Sequence, residues 1–109
     1  MPDRDAVDAF LPLPPATFHI LVAVSEGEKH GYAIIQDIET RTGGELRLSA
    51  GTLYPILHGM ERQGYLRSRL TQNAGRNRRI YRATQAGRKA LVIGRTRVQE
   101  LFGEMFEHD

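Results

Sequence analysis

Apolar positions recur at helical spacing in four stretches of this chain and alternate with polar ones in three. Phe18, Leu21 and Val22, with Ser25, predict a first helix that opens near Pro15 or Ala16 and stops at Gly27. His30-Gly31 opens a second, striped by Ile34, Ile35 and Ile38 and ended by Gly43-Gly44. The alternation in Glu45–Leu48 is too short for more than an extended connection. Ser49 begins a third helix, with Leu53, Ile56, Leu57 and Met60 at i, i+3, i+4 and i+7 and Gly64 at its close. Thr52, Tyr54, His58, Arg62 and Gln63 fall on or beside its other face. Pro55 fits only if the helix starts between Ser49 and Thr52, so that the proline stands in the first turn.

Tyr65–Thr71 and Arg79–Thr84 are predicted strands, joined by a loop over Gln72–Arg78 that is rich in turn formers and arginine. Thr84 is placed to cap a last helix running to about Glu107, about 23 residues and ~35 Å long. Leu91, Gly94, Val98, Leu101 and Met105 form its stripe, widened by Phe102 and Phe106. So long a helix outgrows a small core and is expected to pair with a second copy through Leu91, Val98, Leu101, Phe102, Met105 and Phe106. An intramolecular helix with a fraying end is the alternative. Three short helices, a basic hairpin and a long helix make a mainly α protein with a small β-hairpin (α+β), in the order of a winged helix-turn-helix. The predicted division is an N-terminal extension over 1–14, a winged unit over 15–84 and a dimerisation helix over 85–109.

Composition removes several alternatives. The 109 residues include no cysteine, which excludes disulfides and thiolate chemistry. His19, His30, His58 and His108 share no metal-ligand spacing, and no phosphate loop or nucleophile motif is present. Neither an enzyme, a metal nor a cofactor is therefore expected. The longest apolar run, Ile20–Val24, is far short of the ~20 residues of a membrane helix. Asp3, Arg4, Asp5 and Asp8 precede any apolar stretch, so no secretory signal is expected and the cytoplasm is the predicted compartment. The overall charge of +2 conceals its layout, because residues 62–97 hold eleven basic side chains, ten of them arginine, and no acid. A block of that kind predicts a polyanionic partner, and the planar arginine fork suits phosphate.

Duplex dimensions turn this order into a mechanism. A helix fits the major groove with its N-terminal residues at the base edges, and a basic hairpin reaches an adjacent groove or its phosphates. The third helix begins with Ser49, Thr52 and Tyr54, so hydroxyl contacts and contact with thymine methyls are expected to outweigh paired arginines there. His30-Gly31-Tyr32-Ala33-Ile34, Gly51-Thr52-Leu53-Tyr54-Pro55-Ile56-Leu57 and Arg79-Ile80-Tyr81-Arg82-Ala83-Thr84-Gln85-Ala86-Gly87 resemble the PadR family of bacterial transcriptional regulators, over residues 14–107. The length is similar to that of the short subgroup, with one carboxy-terminal helix. The resemblance implies a homodimer that binds double-stranded operator DNA, usually as a repressor, and loses affinity when an effector binds. By position it puts Ser49, Gly51, Thr52, Tyr54 and Pro55 on the reading helix and Arg76, Arg78 and Arg79 in the wing. It puts Tyr32 near the DNA backbone, with core packing as the other reading.

The chain departs from the family pattern in three places. Ala83 stands where a larger apolar residue is usual before the threonine, and Gln85-Ala86 replaces the usual proline-acid pair after it. Gly59 and Gly94 lie inside helices at a cost of ~1 kcal/mol each, with close helix packing as the expected reason. A small-molecule effector would sit between the last helices and the first, against Phe18, Val98, Leu101, Phe102 and Met105, which also read as plain dimer core. The competing function is a winged-helix docking module that binds an acidic protein and no DNA.

Overall fold

The computed structural model describes residues 13–73 and 75–107, and their side chains through residue 100 except that of Asn73. In chain order the elements are α1 (Pro15–Ser25), β1 (Lys29–His30), α2 (Gly31–Arg41), α3 (Ala50–Arg62), β2 (Leu66–Asn73), β3 (Arg76–Ala83) and α4 (Gln85–Glu107). Each helix expected from the apolar spacing is formed, and the α+β winged architecture is as read. The strands make one antiparallel sheet in the order β1-β3-β2. β1 was not expected: two residues cannot show a period, and only pairing of Lys29 with Tyr81 and His30 with Ile80 reveals it.

The core is built from every element except β1. Consecutive residues Ile20 to Val24 are all buried, so α1 is enclosed on all sides rather than along one stripe. Ile34 and Ile38 of α2, Leu53, Leu57 and Met60 of α3, and Leu66, Tyr81, Ala83 and Leu91 complete the cluster. Lys29 is drawn into this assembly, its Nζ donating to the Ala23 carbonyl at 2.6 Å near the C-terminal end of α1. Arg41 ties α1 to α2 by binding Glu26 and, at 2.6 Å, Asp37. Both carboxylates hold its guanidinium above its ordinary pKa.

Helix starts follow the residues that the sequence offers. The Ala33 N–H donates to His30 Nδ1 at 3.2 Å, and the Thr52 N–H donates to Ser49 Oγ at 3.2 Å. Thr84 Oγ1 accepts from the Gly87 N–H at 3.0 Å and donates to the Gly64 carbonyl at 2.5 Å. The last cap therefore forms although Gln85-Ala86 supplies no acid.

Three local expectations need correction. Pro55 is the sixth residue of α3, not part of its first turn. The N–H that it lacks is the one that would reach the carbonyl of Gly51, an exposed residue for which water can substitute. The long loop between the strands does not exist, since pairing continues to Asn73 with Arg76 and leaves only residue 74 and Gly75 between them. Close packing explains Gly94 but not Gly59. A Cβ at Gly94 would lie 3.2 Å from Leu13 and 3.7 Å from Phe18, whereas one at Gly59 would meet only the end of Arg62, at 3.7 Å. The tightest approach was not foreseen: a Cβ at Gly87 would fall 2.2 Å from the Tyr65 carbonyl oxygen, so α4 leaves the hairpin through a gap that only glycine fits.

Candidate nucleic-acid interface

α3 divides cleanly into an inward and an outward side. Its stripe of Leu53, Leu57 and Met60 is no more than 2% exposed, so the core accounts for that face. Ser49, Gly51, Thr52, Tyr54, Pro55 and His58 are exposed on the other. Ser49 Oγ donates to Thr52 Oγ1 at 3.1 Å, so the two hydroxyls at the helix start form one polar point. Tyr54 is less free than its position suggests. Its phenol oxygen presses on the start of α2, where a Cβ on Gly31 would lie 2.6 Å away, and its ring lies 6.5 Å from that of His58. The Gly31 of the His-Gly-Tyr block thus makes room for the tyrosine of the Gly-Thr-Leu-Tyr-Pro block. Tyr32, 64% exposed, is not a core residue.

The wing arginines do not act as one tip. Side chains alternate across a strand, so Arg79 shares a face with Tyr81 and Ala83, while Arg76, Arg78 and Arg82 share the opposite one. Arg79 turns toward α3: its Nη1 donates to Ser68 Oγ at 3.0 Å, and Ser68 Oγ donates to Glu61 Oε2 at 3.0 Å. Arg76 and Arg78 stand on the outer face, where Arg78 Nη1 lies 3.2 Å from His30 Nε2. Arg67 and Arg69 lie on that face too, Arg69 paired with Glu28 at 2.7 Å. The alternation of the strand already sets Arg67 and Arg69 on one face, opposite Leu66, Ser68 and Leu70, though with no function assigned. Tyr65, which the same alternation groups with them, lies before the strand and packs against the core, and His30 gave no signal until β1 placed it beside β3.

Tyr81 joins the wing to α3 beneath this surface. Burial, then the charges of Glu61 and Tyr54, raise its phenol pKa above the ordinary 10.0, against an opposing pull from Arg79. Of the residues expected at a dimer interface, Leu91 is 4% exposed in the core of its own chain, and Val98 is 38% exposed. The side chains of Leu101, Phe102, Met105 and Phe106 lie outside the described residues. The same holds for three of the five expected effector-pocket residues; of the other two, Phe18 is half-buried against the core and Val98 is solvent-facing. Two apolar side chains not foreseen at a surface, Val92 at 60% and Ile93 at 53% exposure, border a shallow groove of about 360 Å³ with Gln85, Arg88 and Lys89. Among the described residues no group of three His, Asp or Glu could hold a metal ion, and no helix is long and apolar enough to cross a membrane.

Comparison with known proteins bears on the family and the fold. Residues 20–92 match the model of the transcriptional regulator PadR-like family. A transcriptional regulator of Mycobacterium tuberculosis is 45% identical over 87 residues, covering 80% of this chain and 78% of that one. A PadR family transcription regulator from Clostridium difficile superposes with a TM-score of 0.70 at 25% identity, over 85% of this chain and 98% of that one. Bacillus subtilis PadR, solved in complex with operator DNA, shares the fold with a TM-score of 0.66 at 24% identity, over 74% of this chain and 46% of that one.

Proposed function

The chain belongs to the PadR-like family of transcriptional regulators, and from that membership and the exposed start of α3 we propose that it is a sequence-specific DNA-binding regulator, a homodimeric repressor released by an effector. The observation that carries this reading is the complete burial of Leu53, Leu57 and Met60, which turns Ser49, Gly51, Thr52, Tyr54 and Pro55 outward beside an arginine-rich hairpin. In the proposed complex Ser49 and Thr52 hydroxyls meet base edges in the major groove, and Tyr54 braces the helix against α2. Arg79 approaches from the α3 side of the wing, while Arg76, Arg78 and Tyr32 hold phosphates that fix the register. The operator complex of the Bacillus subtilis relative supports this docking by likeness of fold.

The work divides between a winged unit over residues 15–84 and α4 as the element of self-association. Leu91 and Gly94 anchor α4 to its own body, and Val92, Ile93 and Val98 offer apolar surface to a second copy. An effector would act where Phe18 and Val98 approach the far half of α4 in the dimer, changing the angle between the two wings.

Fluorescence anisotropy with genomic fragments tests the reading. Affinity should fall steeply with salt, by ~0.9 in log K per tenfold salt for each neutralised phosphate. Replacing Arg76, Arg78 and Arg79 together by alanine should weaken binding to every duplex and flatten that slope, and Thr52→Ala should change sequence preference instead. Absence of duplex binding at low salt would favour the protein-docking alternative.

A further inference from the structure

We propose that the outer face of the sheet, centred on Arg67 and Arg82, is a second duplex-binding surface, which holds the phosphate backbone of a DNA segment other than the one lying along α3. The first observation is a pairing that the fold alone does not favour. Arg67 and Arg82 are directly opposite on β2 and β3, which sets their Cβ atoms about 5 Å apart and makes like charges repel. Among the described residues no carboxylate lies within ion-pair distance of either, and both are exposed. They border a depression of about 210 Å³ with Glu28, Arg69 and Ile80, and the one carboxylate there, Glu28, is bound by Arg69.

The character of the face selects the partner. Ile80 is its one apolar side chain among the described residues, and it carries no phenyl, phenol or indole ring. A protein partner needs buried apolar or aromatic anchors, and single-stranded nucleic acid needs rings for its bases to stack on. Arginine forks without either suit a duplex backbone. The opposite face of the sheet packs through Leu66, Tyr81 and Ala83 into the core beside α3, so a duplex lying flat over Arg67 and Arg82, at the root of the hairpin, is not the one that α3 reads and that Arg76 and Arg78 meet nearer the tip. The inference therefore goes beyond the reading of α3 and does not depend on its sequence preference.

The test is a bridging assay on the full chain. One short duplex of mixed sequence is immobilised and saturated with protein, and a second, fluorescent duplex is then offered at low salt. The parent should retain the fluorescent duplex. Arg67→Gln with Arg82→Gln should retain about tenfold less, the scale set by two phosphate contacts, with a salt slope shallower by about 2. Its affinity for a single duplex and its thermal midpoint should not fall, since removing two opposed like charges does not weaken the sheet. Equal retention by parent and variant, or none by either, overturns the proposal. Displacement of the fluorescent duplex by poly-glutamate at equal charge, with no reverse displacement, overturns it in favour of an acidic protein partner. Failure of the α3 reading would appear separately, as absent sequence preference in single-duplex titrations.

Discussion

α3 and α4 are both amphipathic helices, yet they leave opposite kinds of surface to solvent. α3 buries Leu53, Leu57 and Met60 of its apolar stripe, with Ile56 half-buried beside them, and exposes hydroxyls, a phenol and backbone at its start. α4 commits Leu91, Gly87 and Gly94 to its own body and exposes Val92, Ile93 and Val98. A polar remainder suits base edges and phosphates, whereas an apolar remainder suits another protein surface. The same periodic pattern in sequence thus leaves two different surfaces, and the composition of the side left over tells them apart.

That contrast can be broken in measurable ways. Leu57→Ala, on the inward side of α3, should cost about 2–5 kcal/mol of folding stability in urea denaturation. A value near that of a surface change would mean α3 is not seated as described. Gly87→Ala should cost about 1–3 kcal/mol, because its Cβ needs the Tyr65 carbonyl to move, and should lower the thermal midpoint. Ser49→Ala should cost ~1 kcal/mol through loss of the α3 cap, and weaken duplex binding as well if that hydroxyl reads DNA. Ile93→Ser should change the stability of dilute protein by less than about 0.5 kcal/mol, yet shift sedimentation at higher concentration toward the single chain. An unaltered sedimentation profile would remove this face of α4 from the interface.

The smallest effect concerns Tyr81. Its pKa is raised in the folded chain, so the unfolded chain loses the phenol proton first as pH climbs past 10.0. Stability present below that pH should decline above it, and Tyr81→Phe should flatten the decline. Urea midpoints on either side of that pH would measure the difference.

Helices with a buried stripe were legible in the sequence because burial forces a period, and Ile34 with Ile38 and Leu53 with Leu57 are plain examples. The caps at His30, Ser49 and Thr84 were equally legible, since each stands just before its run. The wing was underestimated for the converse reason. Beyond Arg69 and Ile80 both faces of the ribbon meet solvent, so no hydrophobic alternation marks residues 72–78 as strand. Among the site residues, the outward positions of α3 followed from its stripe. The separation of Arg79 from Arg76 and Arg78 required the register, and the approach of Tyr54 to Gly31 required the packing of α2 on α3.

The tight connection through residue 74 and Gly75 has a consequence for how this hairpin can vary. With Asn73 fixed opposite Arg76, an inserted residue that shifted the ladder by one position would turn β3 inside out. Tyr81 and Ala83 would then meet water, and Arg82 would be driven among the leucines. Lengthening in steps of two would instead extend the finger without disturbing its root, so the reach of this arm is quantised by the pleat.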